Sequence, residues 1–205
     1  QSAFGHAGQK CSAASLAIVD SSIYRNPSFL NQLKDALETL RVGAGRDFST
    51  AVGPVIHPPS GPLLQALTVL DAGESLLVTP RQLDLAGYLF SPGVKMGVAA
   101  NSWSHLSEWF GPVLAVMEAP DFATAVALHN ASEFGLTAGI HSLDVKECET
   151  WIDSVQAGNL YINLGITGAV VNRQPFGGWK RSSVGATCKA GGPNYLNSLR
   201  NWLPM

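Results

Sequence analysis

The chain has little charge, few cysteines and no long apolar run. Charged residues make up 14% of its 205 positions, and the formal net charge is −2. Lysine and arginine are scattered, with no basic run longer than two residues, so the stripe that grips a nucleic-acid backbone or an anionic membrane is missing. No apolar stretch approaches the roughly 18 residues that a membrane span needs. The three cysteines, Cys11, Cys148 and Cys188, are odd in number and form no Cys-x-x-Cys pair. That pattern signals neither a disulfide framework nor a zinc site, and it fits a reducing cytoplasm. His6, His57, His105, His129 and His141 show no metal-ligand spacing, so no metal is expected. A phosphate-binding glycine loop is also missing: Gly43-Ala-Gly45 continues Arg-Asp-Phe without a third glycine in register, and reads as a helix-ending turn. There is no internal repeat.

What is present is a globular composition, 46% apolar, long enough for a substantial core. Residues 15–20 read as a buried strand. Pro27 opens a helix with Phe29, Leu30, Leu33, Leu37 and Leu40 at helical spacing, closed by Gly43. Ser60 caps a second helix carrying Leu63, Leu64, Leu67 and Leu70 as far as Gly73. Short strands follow at residues 75–79, 94–100 and 113–117. Asp121 caps a helix through Leu128, and strand, helix and strand follow at residues 138–142, 145–155 and 160–163. Strands alternating with helices predict an α/β fold, one domain over residues 1–205 with a largely parallel sheet covered on both faces. The glycine-rich stretch from Gly165 reads as a long functional loop.

Three stretches carry chemistry. Phe4-Gly-His-Ala-Gly-Gln-Lys-Cys11-Ser12 delivers a single thiol into a loop of small residues beside a lysine, the setting of a nucleophile. Gly5, Ala7 and Gly8 there are expected to let the backbone approach closely. Glu108-Trp-Phe-Gly-Pro-Val113 makes a stiff apolar turn that presents one carboxylate, and Gln174-Pro-Phe-Gly-Gly-Trp-Lys180 supplies a second glycine turn with Phe176 at its tip. In this order and at about these separations they resemble the Gly-Gln-x-Cys, Glu-x-Phe-Gly-Pro and Pro-Phe-Gly-Gly motifs of the aldehyde dehydrogenase superfamily. Residues 130–139 and 157–163 match as well, so the resemblance covers nearly the whole chain. Ile166-Thr-Gly-Ala-Val-Val171, Arg173 and the stretch at residues 189–195 resemble the branch that oxidises glutamate γ-semialdehyde to glutamate in proline catabolism, often fused to proline dehydrogenase. Two positions depart from that branch, Leu164 where arginine is usual and Ser183 where glycine is common.

The resemblance implies a role for each residue. Cys11 attacks the aldehyde carbon to give a thiohemiacetal, hydride leaves to a nicotinamide ring, and water hydrolyses the thioester; the Cys11 N–H is the oxyanion donor available in this chain. Glu108 holds the nicotinamide ribose of NAD and Phe110 packs beside the ring. Ser12, Gly168 and Ala169 anchor the amino-acid end of the aldehyde substrate, and Phe176 lines its tunnel. The family's dinucleotide-binding domain and general base precede the nucleophile, so this chain is expected to be the catalytic piece of a longer, homo-oligomeric parent. Apolar surface around Trp109, Phe110 and Phe176 is then expected to be exposed. Three rival functions stand beside this one. A papain-like hydrolase would pair Cys11 with His129, but the signature of that family around its cysteine is missing. A general aldehyde dehydrogenase shares the same three motifs, while a non-catalytic assembly domain is opposed by the intact Cys11 and Glu108.

Overall fold

The apolar run at residues 113–119 becomes β4 (Val113–Ala119), and the first half of the chain is built around it. In the computed structural model, residues 1–170, 173–184, 190–192 and 195–196 are described. They belong to two compact units, Gln1–Ser132 and Glu133–Met205.

In the first unit β1 (Leu16–Asp20), β2 (Ser75–Val78) and β3 (Gly93–Met96) join β4 in the order β1-β4-β3-β2. β1 and β3 both run parallel to β4, and β2 is antiparallel to β3. Side chains alternate across the pleat, which splits the core in two. Leu114 and Val116 of β4 and Val94 and Met96 of β3 pack with Phe4, Ala7, Leu37 and Leu63 on one face. Val113, Ala115 and Met117 pack with Ala66, Val98 and Trp109 on the other. Helices cover both faces, α2 (Pro27–Glu38) through Leu30, Leu33 and Leu37 and α5 (Phe122–Ala131) through Leu128. Short α1 (Ser21–Tyr24), α3 (Gly61–Thr68) and α4 (Trp103–Leu106) complete the unit. Asn26 and Asp121 cap α2 and α5 through the N–H groups of Ser28 and Thr124.

The second unit contains β5 (Phe134–Gly135), β6 (Thr137–Ile140), α6 (Val145–Ser154), β7 (Asn159–Ile162) and β8 (Trp179–Lys180). β6 and β7 pair in parallel across the α6 connection, and β5 pairs antiparallel with β8. Asp144 caps α6, which buries Cys148 and Trp151; Cys148 is thus a core residue, as its helical position predicts.

Element ends differ from the sequence reading for identifiable reasons. Gly43 does not close α2. The helix stops at Glu38 because the chain must extend by Val42 to bridge Val52, and the Gly43 N–H donates to the Val52 carbonyl. Gly43-Ala-Gly45 therefore belongs to that bridged loop. Ser60 occupies the cap position of α3 but its side chain makes no capping bond. That helix ends at Thr68 and not at Gly73, with the Val69 carbonyl taken by Lys95 Nζ at 2.8 Å. β3 ends at Met96 because Gly97 turns left-handed, φ 74°, where a β-carbon would lie 2.3 Å from the Gly73 carbonyl oxygen.

Lys95 is the one charged residue in β3, and its side chain is 1% exposed. Its Nζ lies 3.2 Å from Glu74 Oε2, and that oxygen also accepts from the Asp71 N–H at 3.0 Å. Burial pushes the Glu74 carboxyl up, but the nearby Ser104 hydroxyl, the Asp71 N–H and the Lys95 ammonium outweigh it and leave its pKa below the ordinary 4.5. A carboxylate with a pKa lowered by folding adds stability above its unfolded pKa and loses it as pH falls through the folded value. Glu74→Gln should therefore cost about 3 kcal/mol near pH 7 by leaving the ammonium without its counter-charge. The gap to the unsubstituted chain should narrow once pH drops below about 4.5. Urea midpoints at about pH 7 and pH 3 measure this, and a gap of equal size at both would contradict the assignment.

Candidate active site

The loop that precedes β1 has an unusual backbone. His6, Ala7 and Gly8 all lie in the left-handed region, at φ 55°, 54° and 70°. Only glycine adopts it freely, and an L-residue there costs about 1 kcal/mol or more. Gly8 is required for a second reason: a β-carbon there would sit 2.1 Å from the Gly111 carbonyl oxygen. The close approach predicted for Gly5, Ala7 and Gly8 together thus falls on Gly8, since nothing lies within 4 Å of where a Gly5 β-carbon would be.

Gln9 follows and uses both ends of its amide. Nε2 donates to the Phe110 carbonyl at 3.1 Å, and Oε1 accepts the Ile56 N–H at 2.8 Å. Gly8 and Gln9 thereby join the cysteine loop to the Glu108 turn. Within that turn Trp109 points inward, 2% exposed, with Nε1 donating to the Val113 carbonyl. Phe110 has φ 51° and points outward, 39% exposed. Glu108 is exposed. The outcome is a small cleft whose walls include Lys10, Cys11, Glu108 and Phe110. Cys11 is an exposed free thiol, its loop is closed by an Ala13 N–H to Lys10 carbonyl bond, and its own N–H donates no hydrogen bond among the described residues. Ser12 is 2% exposed and does not line the cleft. The exposed apolar surface expected here is reduced to Phe110, because Trp109 is needed in the core. A larger hollow of about 340 Å³ at the ends of β3 and β4, beside Tyr24 and Glu118, contains none of the candidate residues.

Gly168, Ala169 and Phe176 belong to the second unit. Gly168 is exposed and Ala169 half-buried, and neither N–H donates a hydrogen bond among the described residues. Phe176 is half-buried, with its N–H and carbonyl both paired to Ala190 at 2.9 Å. Asn159 grips the turn around it, donating to the Pro175 carbonyl at 2.9 Å and accepting from the Gly177 N–H at 3.1 Å. A β-carbon on Gly158 would lie 1.7 Å from the Gly177 oxygen. Cys188, expected in a glycine-rich loop, lies outside the described residues. Gln9, Asn159 and Lys95 were given no role by the sequence reading. The first two stand inside matched motifs, and a lysine centred in an otherwise apolar strand was a signal for the third.

A sequence model of the aldehyde dehydrogenase family matches residues 1–202, and the chain belongs to that family. Among its relatives, the 1-pyrroline-5-carboxylate dehydrogenase of Geobacillus sp. (strain WCH70) is 39% identical over 196 residues, 95% of this chain and 37% of the relative. The Thermus 1-pyrroline-5-carboxylate dehydrogenase solved with bound NAD superposes with a TM-score of 0.83 at 36% identity, over 96% of this chain and 37% of that one. Proline Utilization A from Corynebacterium freiburgense superposes with a TM-score of 0.92 at 54% identity, over 97% of this chain and 20% of that one. The chain spans just over a third of the length of the curated relatives it matches. Among the described residues no helix is long and apolar enough to cross a membrane.

An exposed Cys11 in an open loop and a buried Cys148 set an order of reactivity. Brief iodoacetamide treatment of the native chain followed by peptide mapping should find Cys11 carboxamidomethylated well before Cys148. Equal labelling of the two would contradict the placement of Cys11.

Proposed function

We propose that the chain is the nucleophile-bearing part of an NAD-dependent dehydrogenase that oxidises glutamate γ-semialdehyde to glutamate in proline catabolism. The observation that carries this reading is the Gln9 and Gly8 junction, which sets the Cys11 thiol, the Glu108 carboxylate and the Phe110 ring around one cleft. An exposed carboxylate and an outward ring on one rigid turn suit a ribose, through its two hydroxyls, and the face of a nicotinamide. NAD, when bound, accepts the hydride. Cys11 is the nucleophile: its thiolate forms the C–S bond as the carbonyl electron pair moves to oxygen, beside the Cys11 N–H, which donates no hydrogen bond among the described residues. Hydride departure leaves a thioester, which water cleaves to the acid and the free thiol.

The N–H groups of Gly168 and Ala169, which donate no hydrogen bond among the described residues, suit a carboxylate, and we assign them to the amino-acid end of the substrate and Phe176 to its tunnel by the family resemblance. Ser12, buried in this structure, is assigned to the same anchor through its hydroxyl. An exposed reactive thiol works best in a reducing compartment, and we place the parent in the cytoplasm as a homo-oligomer. The 54% identity to a Proline Utilization A protein supports fusion with proline dehydrogenase in the parent.

A site built to hydrogen-bond a charged end rejects substrates lacking it by roughly 10⁴-fold, whereas one methylene changes preference only about 10 to 200-fold. The full-length parent should therefore favour glutamate γ-semialdehyde over propanal or hexanal by several orders of magnitude in kcat/KM, and Cys11→Ala should abolish turnover of all three. Comparable kcat/KM for propanal would favour a general aldehyde dehydrogenase.

A further inference from the structure

Lys95 presents an unexplained expense, a lysine ammonium carried into the core beneath the Glu108 turn. Its Nζ donates to the Val69 carbonyl at 2.8 Å, Glu74 Oε2 at 3.2 Å and Ser104 Oγ at 3.3 Å. It also lies 5.9 Å from the ring centroid of Trp103 and 5.7 Å from that of Trp109, within the range of cation–π attraction. The two rings are tilted by 40° with centroids 5.7 Å apart, so the ammonium and the indoles form one cluster. Glu74 Oε1 is buried without a hydrogen-bond partner among the described residues. An apolar side chain would fill β3 without that orphan oxygen or the desolvation of two charges, and such replacements in other proteins are often neutral or stabilising. Stability alone therefore gives no reason for a lysine here.

Its neighbour gives one. Trp109 stands between Glu108 and Phe110, and all three line the Cys11 cleft. The indole is fixed on one side by its hydrogen bond to the Val113 carbonyl and on another by the Lys95 ammonium. We propose that Lys95 is a positioning residue: its ammonium, held by Glu74, Ser104 and the Val69 carbonyl, locks the Trp109 indole and so sets where the turn presents Glu108 and Phe110. This rests on the reading that Glu108 binds the nicotinamide ribose. It assigns Lys95 to cofactor recognition, with no contact to substrate.

The test uses the full-length parent with the double substitution Lys95→Met and Glu74→Gln, which removes both buried charges together and so avoids an unpaired one. Glu108→Gln is made alongside, and 5-fluorotryptophan labelling, with Trp109 assigned by Trp109→Phe, reports the indole directly. The double variant should keep its cooperative thermal transition. Its KM for NAD should rise roughly tenfold, the order expected when a desolvated cation–π contact is lost, with kcat and the aldehyde KM changed far less, and the Trp109 fluorine signal should shift. If Glu108→Gln raises the KM for NAD and the double variant does not, Lys95 has no positioning role. If Glu108→Gln leaves that KM unchanged, the ribose reading falls. Lys95 is then judged by the fluorine signal alone, where a shift supports the lock on Trp109 and an unmoved signal overturns it.

Discussion

The Gln9 side-chain amide ties its own loop to two others, 47 and 101 residues further along the chain. Its nitrogen holds the Phe110 carbonyl and its oxygen holds the Ile56 N–H. Beside it the Gly8 backbone lies so close to Gly111 that no β-carbon fits between them. A thiol loop and a carboxylate turn become one object at that point. Neither would keep its place alone, since both contain non-glycine residues in the left-handed region, His6 and Ala7 in one and Phe110 in the other. Strain of that kind persists only where surrounding contacts over-determine the backbone. The sheet supplies the rest of the frame: β1 leaves the thiol loop and β4 leaves the turn, and the two strands pair in parallel from Leu16 and Ala115 onward.

The same device recurs in the second unit. Asn159 uses both ends of its amide to grip the chain on either side of Phe176, and Asn163, at φ 55°, does so on Ser142, donating to its carbonyl and accepting its N–H. Gly158 gives way to the Gly177 carbonyl as Gly8 does to Gly111. Each glycine stands directly before the amide that does the gripping. At Gln9 and Asn159 the preceding glycine lets the second backbone come near the amide, while Asn163, flanked by Ile162 and Leu164, reaches Ser142 without one.

The alternation of strands and helices was legible because β1, β4 and β7 are apolar runs bounded by turn residues, and because Asn26-Pro27, Asp121 and Asp144 are strong helix starts. Helix ends were not, because α2 and α3 stop where tertiary partners claim the chain: the Val42 to Val52 bridge in one case and the Lys95 ammonium in the other. Cys11, Glu108 and Phe110 were found by motif, and the structure gathers them at one cleft. Adjacency to Cys11 in sequence did not reveal how far Ser12 is buried, and it is 2% exposed and outside the cleft lining. Trp109 was misjudged for a related reason. In the sequence its indole and that of an exposed turn look alike, and only the alternation of β4 and the cluster around Lys95 pull it inward.

Exchange of individual amide protons in this chain tests most directly whether Gln9 makes one body of the two loops. Gln9→Glu keeps the oxygen that receives the Ile56 N–H and removes the donor to Phe110. Ala13 N–H reports on the thiol loop, Val113 N–H on the turn, and Ala115 N–H, bonded to the Ser15 carbonyl, on the intact sheet. Ala13 and Val113 should exchange faster by a similar factor in the variant while Ala115 and Ile56 keep their protection. Unchanged exchange at Ala13, or acceleration at Val113 alone, would mean that the two loops hold their shapes independently.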